Sequence, residues 1–476
     1  MLEKFAVAAD ALNLIHWQDQ LIKNSGQISA VIFNNARVLM IMGLVTTLLT
    51  GLILALRIIR SVRYPLAEEV DAVQPIFSRP PAAAIHLGIK LAAALCSVVK
   101  HRISMLLKAL LITTLLTSWQ ARAEPGSAER EILIGQSAAM SGPAKALGLE
   151  MRAGVLLYLD QVNAAGGIHG RRILLISADD ASEPTRAVSN TRKLINDDKV
   201  LALIAYVGTS TSLAALPILA ETKTPLIGVF SGAQSLRDPF NRYIFNVRAS
   251  SSEETEKIVE QLTTTLNKRI AVFYQNDAAS KAEVAGVESA LKKRGLTIAA
   301  TGLVEPNSAD VSAAVKSISI SAPDAVIMIS SYTSASAFVK AMKRAGSTTH
   351  FHNYASVGGK ALMAELGDDG VGVAVAQVVP SPWSGTLGIT RDYQQVKKAD
   401  GNYSFTEFEG YLAARVLVEG LKSARKDLTR EKLISGLEKL SKTDIGGFSI
   451  DFSPTKHNGS NFVDLSIIGR NGKFMR

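Results

Sequence analysis

The chain has 476 residues, of which 47% are hydrophobic and 20% charged, and its formal net charge is +10. This length allows two or three domains with cores of ordinary size. The basic residues are scattered and do not alternate with aromatic residues, so we expect no nucleic-acid partner. Cys96 is the only cysteine in the sequence, which excludes an intrachain disulfide and a cysteine-rich metal site.

The first predicted element is an apolar segment over residues 38–56, which contains no charged residue. A segment of this length fits a transmembrane helix, and a buried core helix is the alternative. Basic residues favour the cytoplasmic side of a membrane, so Arg57, Arg60 and Arg63 place the C-terminal end of the segment in the cytoplasm.

Residues 10–72 resemble the second transmembrane helix and the HAMP start of a bacterial chemoreceptor. The resemblance is carried by the sequence LRIIRSVRYPL from Leu56 to Leu66. Neither a second HAMP helix nor a signalling hairpin follows, so we expect no receptor output from this segment. Residues 73–104 are rich in proline and alanine, and we interpret them as a linker of unknown role.

Residues 105–123 have the order of a secretory signal peptide, with a basic start, an apolar core and the sequence Ala-Arg-Ala at 121–123. A second membrane helix is the alternative. We expect Met105 to be the natural start, and residues 1–104 to be an upstream remnant, a fusion or a misassigned start. The expected location is the periplasm, with membrane anchoring only if residues 1–104 are retained.

From residue 131 onward, apolar strands alternate with amphipathic helices. Strands are predicted at 132–134, 173–176, 201–205, 225–230, 270–274, 298–300 and 325–329. Continuous apolar strands between helices predict parallel sheets that are covered on both faces. Two such sets predict an α/β fold with two doubly wound lobes, and a ligand is expected between the lobes at the carboxyl ends of the strands.

Several motifs in this region occur in the order found in type I periplasmic binding proteins of the branched-chain amino acid (Leu/Ile/Val) class. They are Ala139–Pro143, Asn163–Gly170, Asp179–Pro184, Gly208–Ser212, Ser231–Ala233 and Phe408–Leu417. Residues 131–476 therefore resemble this family. The resemblance implies lobe 1 from 131–248 plus 377–440 and lobe 2 from 249–376 plus 441–476, joined by three crossovers that act as a hinge.

The implied function is that of an extracytoplasmic solute-binding protein of an ABC importer. Such a protein captures an amino acid, or an amino-acid-like molecule such as an amide, and delivers it to an ABC permease of the branched-chain amino acid type. A membrane-tethered ligand sensor that uses the chemoreceptor-like helix is the alternative. An enzyme is disfavoured, since the sequence contains neither a nucleophile elbow nor a Ser-His-Asp order, and we expect no cofactor.

Two hydroxyl-rich loops are the first candidates for the ligand site. Thr209 and Ser210 follow the third predicted strand and open a helix, and Ser231, Gly232 and Ala233 follow the fourth strand. Hydroxyls and backbone amides at the start of a helix bind carboxylates well. The resemblance places a ligand carboxylate at these loops, and simple helix capping is the alternative.

The second lobe provides weaker candidates. The resemblance matches Tyr332 to an aromatic residue that lines the family's pocket, and Tyr354 and Ser356 are candidates for meeting an ammonium group. Leu147 and Ala279 stand where branched-chain binders tend to carry an aromatic residue and a Tyr-Gly pair. The ligand could therefore be another amino acid, an amide or an aromatic acid.

Two further clusters are candidates for metal chemistry. Asp179 and Asp180 could bind a metal or act as an acid-base pair, but a loop that braces the first lobe is the favoured interpretation. His350 and His352 lie on one face of a predicted strand, as in a zinc pair, but no third ligand lies nearby. We therefore expect no metal.

Overall fold

The computed structural model describes residues 131–397, 401–424, 426–470 and 472–475. The chemoreceptor-like segment, the predicted transmembrane helix, the linker and the signal-like segment all lie outside these residues. Within the described part of the chain, no helix combines the length and the apolar character that a membrane crossing requires.

The first sheet has five parallel strands in the order β2-β1-β3-β4-β5. The strands are β1 (Glu131–Ala138), β2 (Arg172–Asp179), β3 (Ala202–Ile204), β4 (Leu226–Ile227) and β5 (Ile244–Phe245). The helices between them are α1 (Lys145–Ala164), α2 (Pro184–Asn196) and α3 (Thr209–Thr222). All three residues of β3 are buried, as expected for a central parallel strand with helices on both faces.

The second sheet has seven strands in the order β14-β13-β10-β9-β8-β6-β7. Its parallel strands are β6 (Ile270–Gln275), β7 (Ile298–Val304), β8 (Ala325–Ile329), β9 (His350–Asn353) and β10 (Ala374–Gln377). These five strands repeat the spatial order of the first sheet. The connecting helices are α4 (Ser251–Thr264), α5 (Ala278–Lys292), α6 (Ser312–Ile320), α7 (Tyr332–Arg344) and α8 (Gly359–Leu366).

The chain passes between the two sheets three times. It leaves the first sheet after β5 and returns after β10 to form α9 (Gly388–Lys397), α10 (Phe405–Ser423) and α11 (Arg430–Leu437). A small antiparallel pair, β11 (Thr443–Asp444) and β12 (Ser449–Ile450), precedes the last passage to β13 (Asp464–Ile468) and β14 (Phe474–Met475). The predicted α/β fold with two doubly wound lobes is confirmed, whereas the exact lobe boundaries stay a prediction.

The returning helix α10 fixes the first lobe because it packs directly on α1. A Cβ atom at Gly154 would lie 1.8 Å from the carbonyl oxygen of Glu407, and one at Gly410 would lie 2.3 Å from that of Met151. The two helix backbones therefore touch where they cross. Most of α10 is buried, so the returning segment is part of the core rather than a surface addition.

Replacing Gly154 with alanine is expected to push α1 and α10 apart and to lower the free energy of unfolding by about 1–3 kcal/mol. Gly286 in α5 provides a matched control, because a Cβ atom there would meet nothing within 4 Å. Alanine at that position should raise the free energy of unfolding by up to about 1 kcal/mol through its higher helix propensity. Urea unfolding monitored by circular dichroism measures both effects, and equal effects would contradict the tight crossing.

Candidate functional site

A cleft of about 440 Å³ lies where the carboxyl ends of strands from both sheets meet, and we call it the main cleft. It is lined on the first-lobe side by Ser182, Gly208, Thr209, Ser210 and Leu213. The opposite wall includes Gln275, Asp277, Ala279, Glu283, Ser330, Ser331, Tyr354 and Ser356. Two smaller cavities adjoin it, an inner pocket of about 130 Å³ and a side chamber of about 220 Å³.

The two predicted hydroxyl loops meet in the inner pocket. The Thr209 Oγ1 and Ser231 Oγ atoms lie 2.8 Å apart, and Ser231 Oγ also accepts a hydrogen bond from the backbone N–H of Ala233 at 3.2 Å. Both side chains line the inner pocket together with Gly232. The pair thus presents two hydroxyl groups and the start of α3 to one small space.

The start of α3 is left open toward the cleft. Its N-cap residue is Gly208, which has a φ of 102° and no side chain that could cap the helix. The hydroxyls of Thr211 and Ser212 turn back to backbone carbonyls of the preceding turn, and that of Thr209 bonds to Ser231. The Thr209 hydroxyl therefore does not cap α3, and the first amides of this helix have no side-chain acceptor.

The second loop is held close to the opposite lobe. A Cβ atom at Gly232 would lie 2.5 Å from Ser251 Oγ, and the Ser251 N–H donates to the Gly232 carbonyl at 2.7 Å. Ser251 begins α4, the first helix after the crossover from β5. The loop that carries Ser231 thus lies directly against the first passage between the lobes.

A fully buried arginine connects the three parts of the chain below this loop. Arg248 Nη2 lies 3.1 Å from Glu254 Oε1 on α4, and Arg248 Nη1 lies 3.3 Å from Glu409 Oε1 on α10. Glu254 Oε2 accepts a 2.7 Å hydrogen bond from the N–H of Ala355, which follows β9. We call these residues the Arg248 network. It adjoins the Ser231 loop, because Glu254 Oε1 lies 3.2 Å from the position that a Cβ atom at Gly232 would take.

Glu283 is the acidic residue that faces all three cavities. It is half-buried on α5, and its Oε1 accepts a hydrogen bond from Ser251 Oγ at 2.7 Å. Burial raises the pKa of Glu283 to about 7, and the Glu254 carboxylate adds to the rise while the Ser251 hydroxyl opposes it. Ionising this carboxyl group in the folded protein therefore costs more free energy than ionising it in water.

The remaining predicted site residues lie at different places. Ser210, Ala279, Tyr354 and Ser356 line the main cleft, and Leu147 lines the inner pocket. Tyr354 is buried and its hydroxyl bonds to Thr255 Oγ1 at 2.6 Å, so that this hydroxyl already has a partner.

Tyr332 and Ala233 are placed beside the ligand space rather than in the main cleft. The Tyr332 hydroxyl donates to the carbonyl oxygen of Pro143, which forms a direct bond between the two lobes. Ala233 lines the side chamber. The ligand roles proposed for both residues stay predictions.

The aspartate pair braces the first lobe. Asp179 Oδ1 accepts from the backbone amides of Met140 and Ala181, and Asp180 Oδ2 accepts from the Ser137 hydroxyl. Although burial opposes it, hydrogen bonds from Ser141 and from these amides hold the pKa of Asp179 well below its usual range. Within the described residues, no group of histidine, cysteine and acidic side chains is arranged to hold a metal ion.

Sequence reasoning missed Glu283 because it searched only the loops that follow strands. Helix α5 begins at Ala278 behind the capping side chain of Asp277. Glu283 lies four residues after Ala279 in this helix and therefore on the same helix face. The Asp277-x-x-Ser280 cap was the signal that could have located it.

Comparison with known proteins gives a consistent result. A family model described as periplasmic binding protein matches residues 131–467. A possible leucine/isoleucine/valine-binding protein from Rhodopirellula baltica SH 1 is 31% identical with a TM-score of 0.69, over 74% of this chain and 98% of that chain. A substrate-binding periplasmic protein from Ralstonia solanacearum is also 31% identical, with a TM-score of 0.68, over 72% of this chain and 99% of that chain.

Among curated relatives, Leu/Ile/Val-binding protein homolog 3 of Brucella melitensis biotype 1 is 25% identical over 190 residues. That match covers 40% of this chain and 51% of the relative, so the chain spans about half the length of this curated protein.

The stability of the protein is expected to depend on pH through Glu283. Because the folded-state pKa of about 7 exceeds the ordinary value of 4.5, the folded protein keeps a proton that the unfolded chain has lost between these values. The contribution of this carboxyl group to stability should therefore fall as pH rises through this window, by at most about 1.4 kcal/mol per pH unit.

Urea unfolding of the wild type and of Glu283→Gln across this pH range measures the effect. The wild type should lose stability relative to the glutamine variant as pH rises, because glutamine does not titrate. A difference between the two proteins that stays constant with pH would contradict the raised pKa.

Proposed function

The chain belongs to the periplasmic binding protein family, and on that premise we propose that it captures an amino acid or an amino-acid-like small molecule in the main cleft. The observation that carries the proposal is the inner pocket, where the Thr209 and Ser231 hydroxyls meet at the open start of α3. Orphan amides at a helix start and two hydroxyls are the donors that an amino-acid carboxylate requires.

Capture requires contacts from both lobes. Thr209 and Ser231 belong to the first lobe, whereas Ser356 and Glu283, which also line the inner pocket, belong to the second. A ligand that bonds to both walls binds the closed arrangement more tightly than the open one and therefore shifts the population toward closure. The three passages of the chain between the sheets supply the hinge.

We further propose that the protein serves an ABC importer as its extracytoplasmic solute-binding component, and that it acts in the periplasm with a permease of the branched-chain amino acid type as its partner. The family and its relatives support binding without catalysis. The protein is accordingly a binding protein rather than an enzyme, and the proposed cycle consists of capture, closure and release.

The membrane-tethered sensor remains the second candidate, because residues 10–72 resemble a chemoreceptor segment. Mass spectrometry of the protein from its native host separates the two. A mature chain that begins near Glu124 supports the importer component, and a chain that retains residues 1–104 supports the tethered form.

A thermal-shift screen over amino acids and small amides tests the binding function, since a ligand that prefers the folded state raises its stability. We expect at least one compound to raise the melting temperature. The Thr209→Val variant should weaken binding of that compound by about tenfold, because a hydroxyl donor to a charged group is worth roughly 1.5 kcal/mol.

The matched control is Thr222→Val at the other end of α3, where the hydroxyl bonds to Thr224 Oγ1 at 2.8 Å outside the cleft. It should leave affinity unchanged. If no compound stabilises the protein, or if both variants lose affinity equally, the proposed site is wrong.

A further inference from the structure

The walls of the cleft carry charge of one sign. The charged side chains that line the main cleft, the inner pocket and the side chamber are Asp277 and Glu283, and the described lining residues include neither lysine nor arginine. Since the cleft supplies no compensating cation of its own, a ligand with a positive group would complement it electrostatically.

Asp277 and Glu283 differ in how many hydrogen bonds their carboxylates accept from the protein. Asp277 caps α5, where its oxygens accept from the Ser280 N–H at 2.8 Å and from the Ser280 hydroxyl at 3.1 Å. Glu283 accepts one hydrogen bond, from Ser251 to Oε1. Within the described residues, its Oε2 atom receives no donor, and the side chain faces the cavities.

The nearby arginine does not neutralise Glu283, because Arg248 already pairs with Glu254 and Glu409. Glu254 lies close enough to raise the pKa of Glu283 further, while Arg248 and Ser251 lower it. The sum of these surroundings still raises the pKa to about 7. Among the described residues, Glu283 thus forms no ion pair, and it lies at the junction of three cavities.

We propose that Glu283 determines ligand class: a protonated amine of the ligand pairs with its free oxygen. The ligand is therefore an amino acid or another amine rather than a simple carboxylic acid. This inference rests on the proposed binding function and decides between ligand classes that the sequence leaves open. The inner pocket supports it, because Glu283, Thr209 and Ser231 line the same space of about 130 Å³.

Two matched pairs of probes test the proposal on the full chain by isothermal titration calorimetry. L-leucine is compared with 4-methylpentanoate, and L-phenylalanine with 3-phenylpropanoate; in each pair the compounds differ only in the α-amino group. At least one amino acid should bind about tenfold or more tightly than its amine-free partner, since a charge-assisted pair contributes at least one factor of ten. In Glu283→Gln, this preference should disappear.

The Ser251→Ala variant separates ligand binding from bracing of α4. It removes the hydroxyl that bonds to Glu283 but leaves the carboxylate, so the preference for the amine should persist. If Glu283→Gln does not fold, the preference of the wild type for the amino acid over its amine-free partner is measured at about pH 8 and at about pH 5.5. Protonation of Glu283 at the lower pH should reduce this preference.

The outcomes are distinguishable. Equal binding of amino acids and amine-free acids, or an unchanged preference in Glu283→Gln, would overturn the role of Glu283 and leave the binding function standing. Loss of the preference in Ser251→Ala as well would assign Glu283 a bracing role and overturn the proposal. Absence of binding by amino acids, amides and acids alike would refute the binding function itself.

Discussion

The cleft depends on one buried interaction, the pairing of Arg248 with Glu254 and Glu409. Ion pairs with carboxylates offset the cost of burying the charge of Arg248, and removal of one partner from such a group typically costs about 3–5 kcal/mol. Here the partners come from the first crossover helix and from the returning helix α10. The network therefore fixes where the chain passes between the lobes, and the loop of Ser231 lies directly above it.

This arrangement explains why a polar cleft is compatible with a stable fold. In the Arg248 network, Glu254 and Glu409 pair with Arg248, and Glu254 also accepts from the Ala355 amide. The aspartates of the first lobe accept hydrogen bonds from backbone amides. The groups that face the ligand space with unused bonding capacity include the start of α3 and the carboxylate of Glu283. These groups lie where a ligand can bond to them.

Much of the fold could be predicted from the sequence, because apolar strands and helical periodicity are local signals. Strand β8 coincides with the predicted segment 325–329, and the hydroxyl loops at Thr209 and Ser231 do lie together, since adjacent parallel strands end at the same edge. The Arg248 network could not be predicted, because Glu409 is far away in the sequence. Glu283 was missed because candidates were sought only in loops that follow strands, whereas this residue lies inside α5.

The two sheets share one strand order, so the cleft is formed by two equivalent edges that face each other. Such a pairing would be symmetric if the side chains were alike, but the first wall presents the start of α3 and the second wall presents the carboxylate of Glu283. The cleft consequently has a direction. On the proposed roles of the α3 start and of Glu283, a zwitterion lies along the cleft in one orientation. A mirror-image ligand that keeps both polar contacts then sends its side chain toward a different wall, so the difference between the two walls selects the handedness of the ligand.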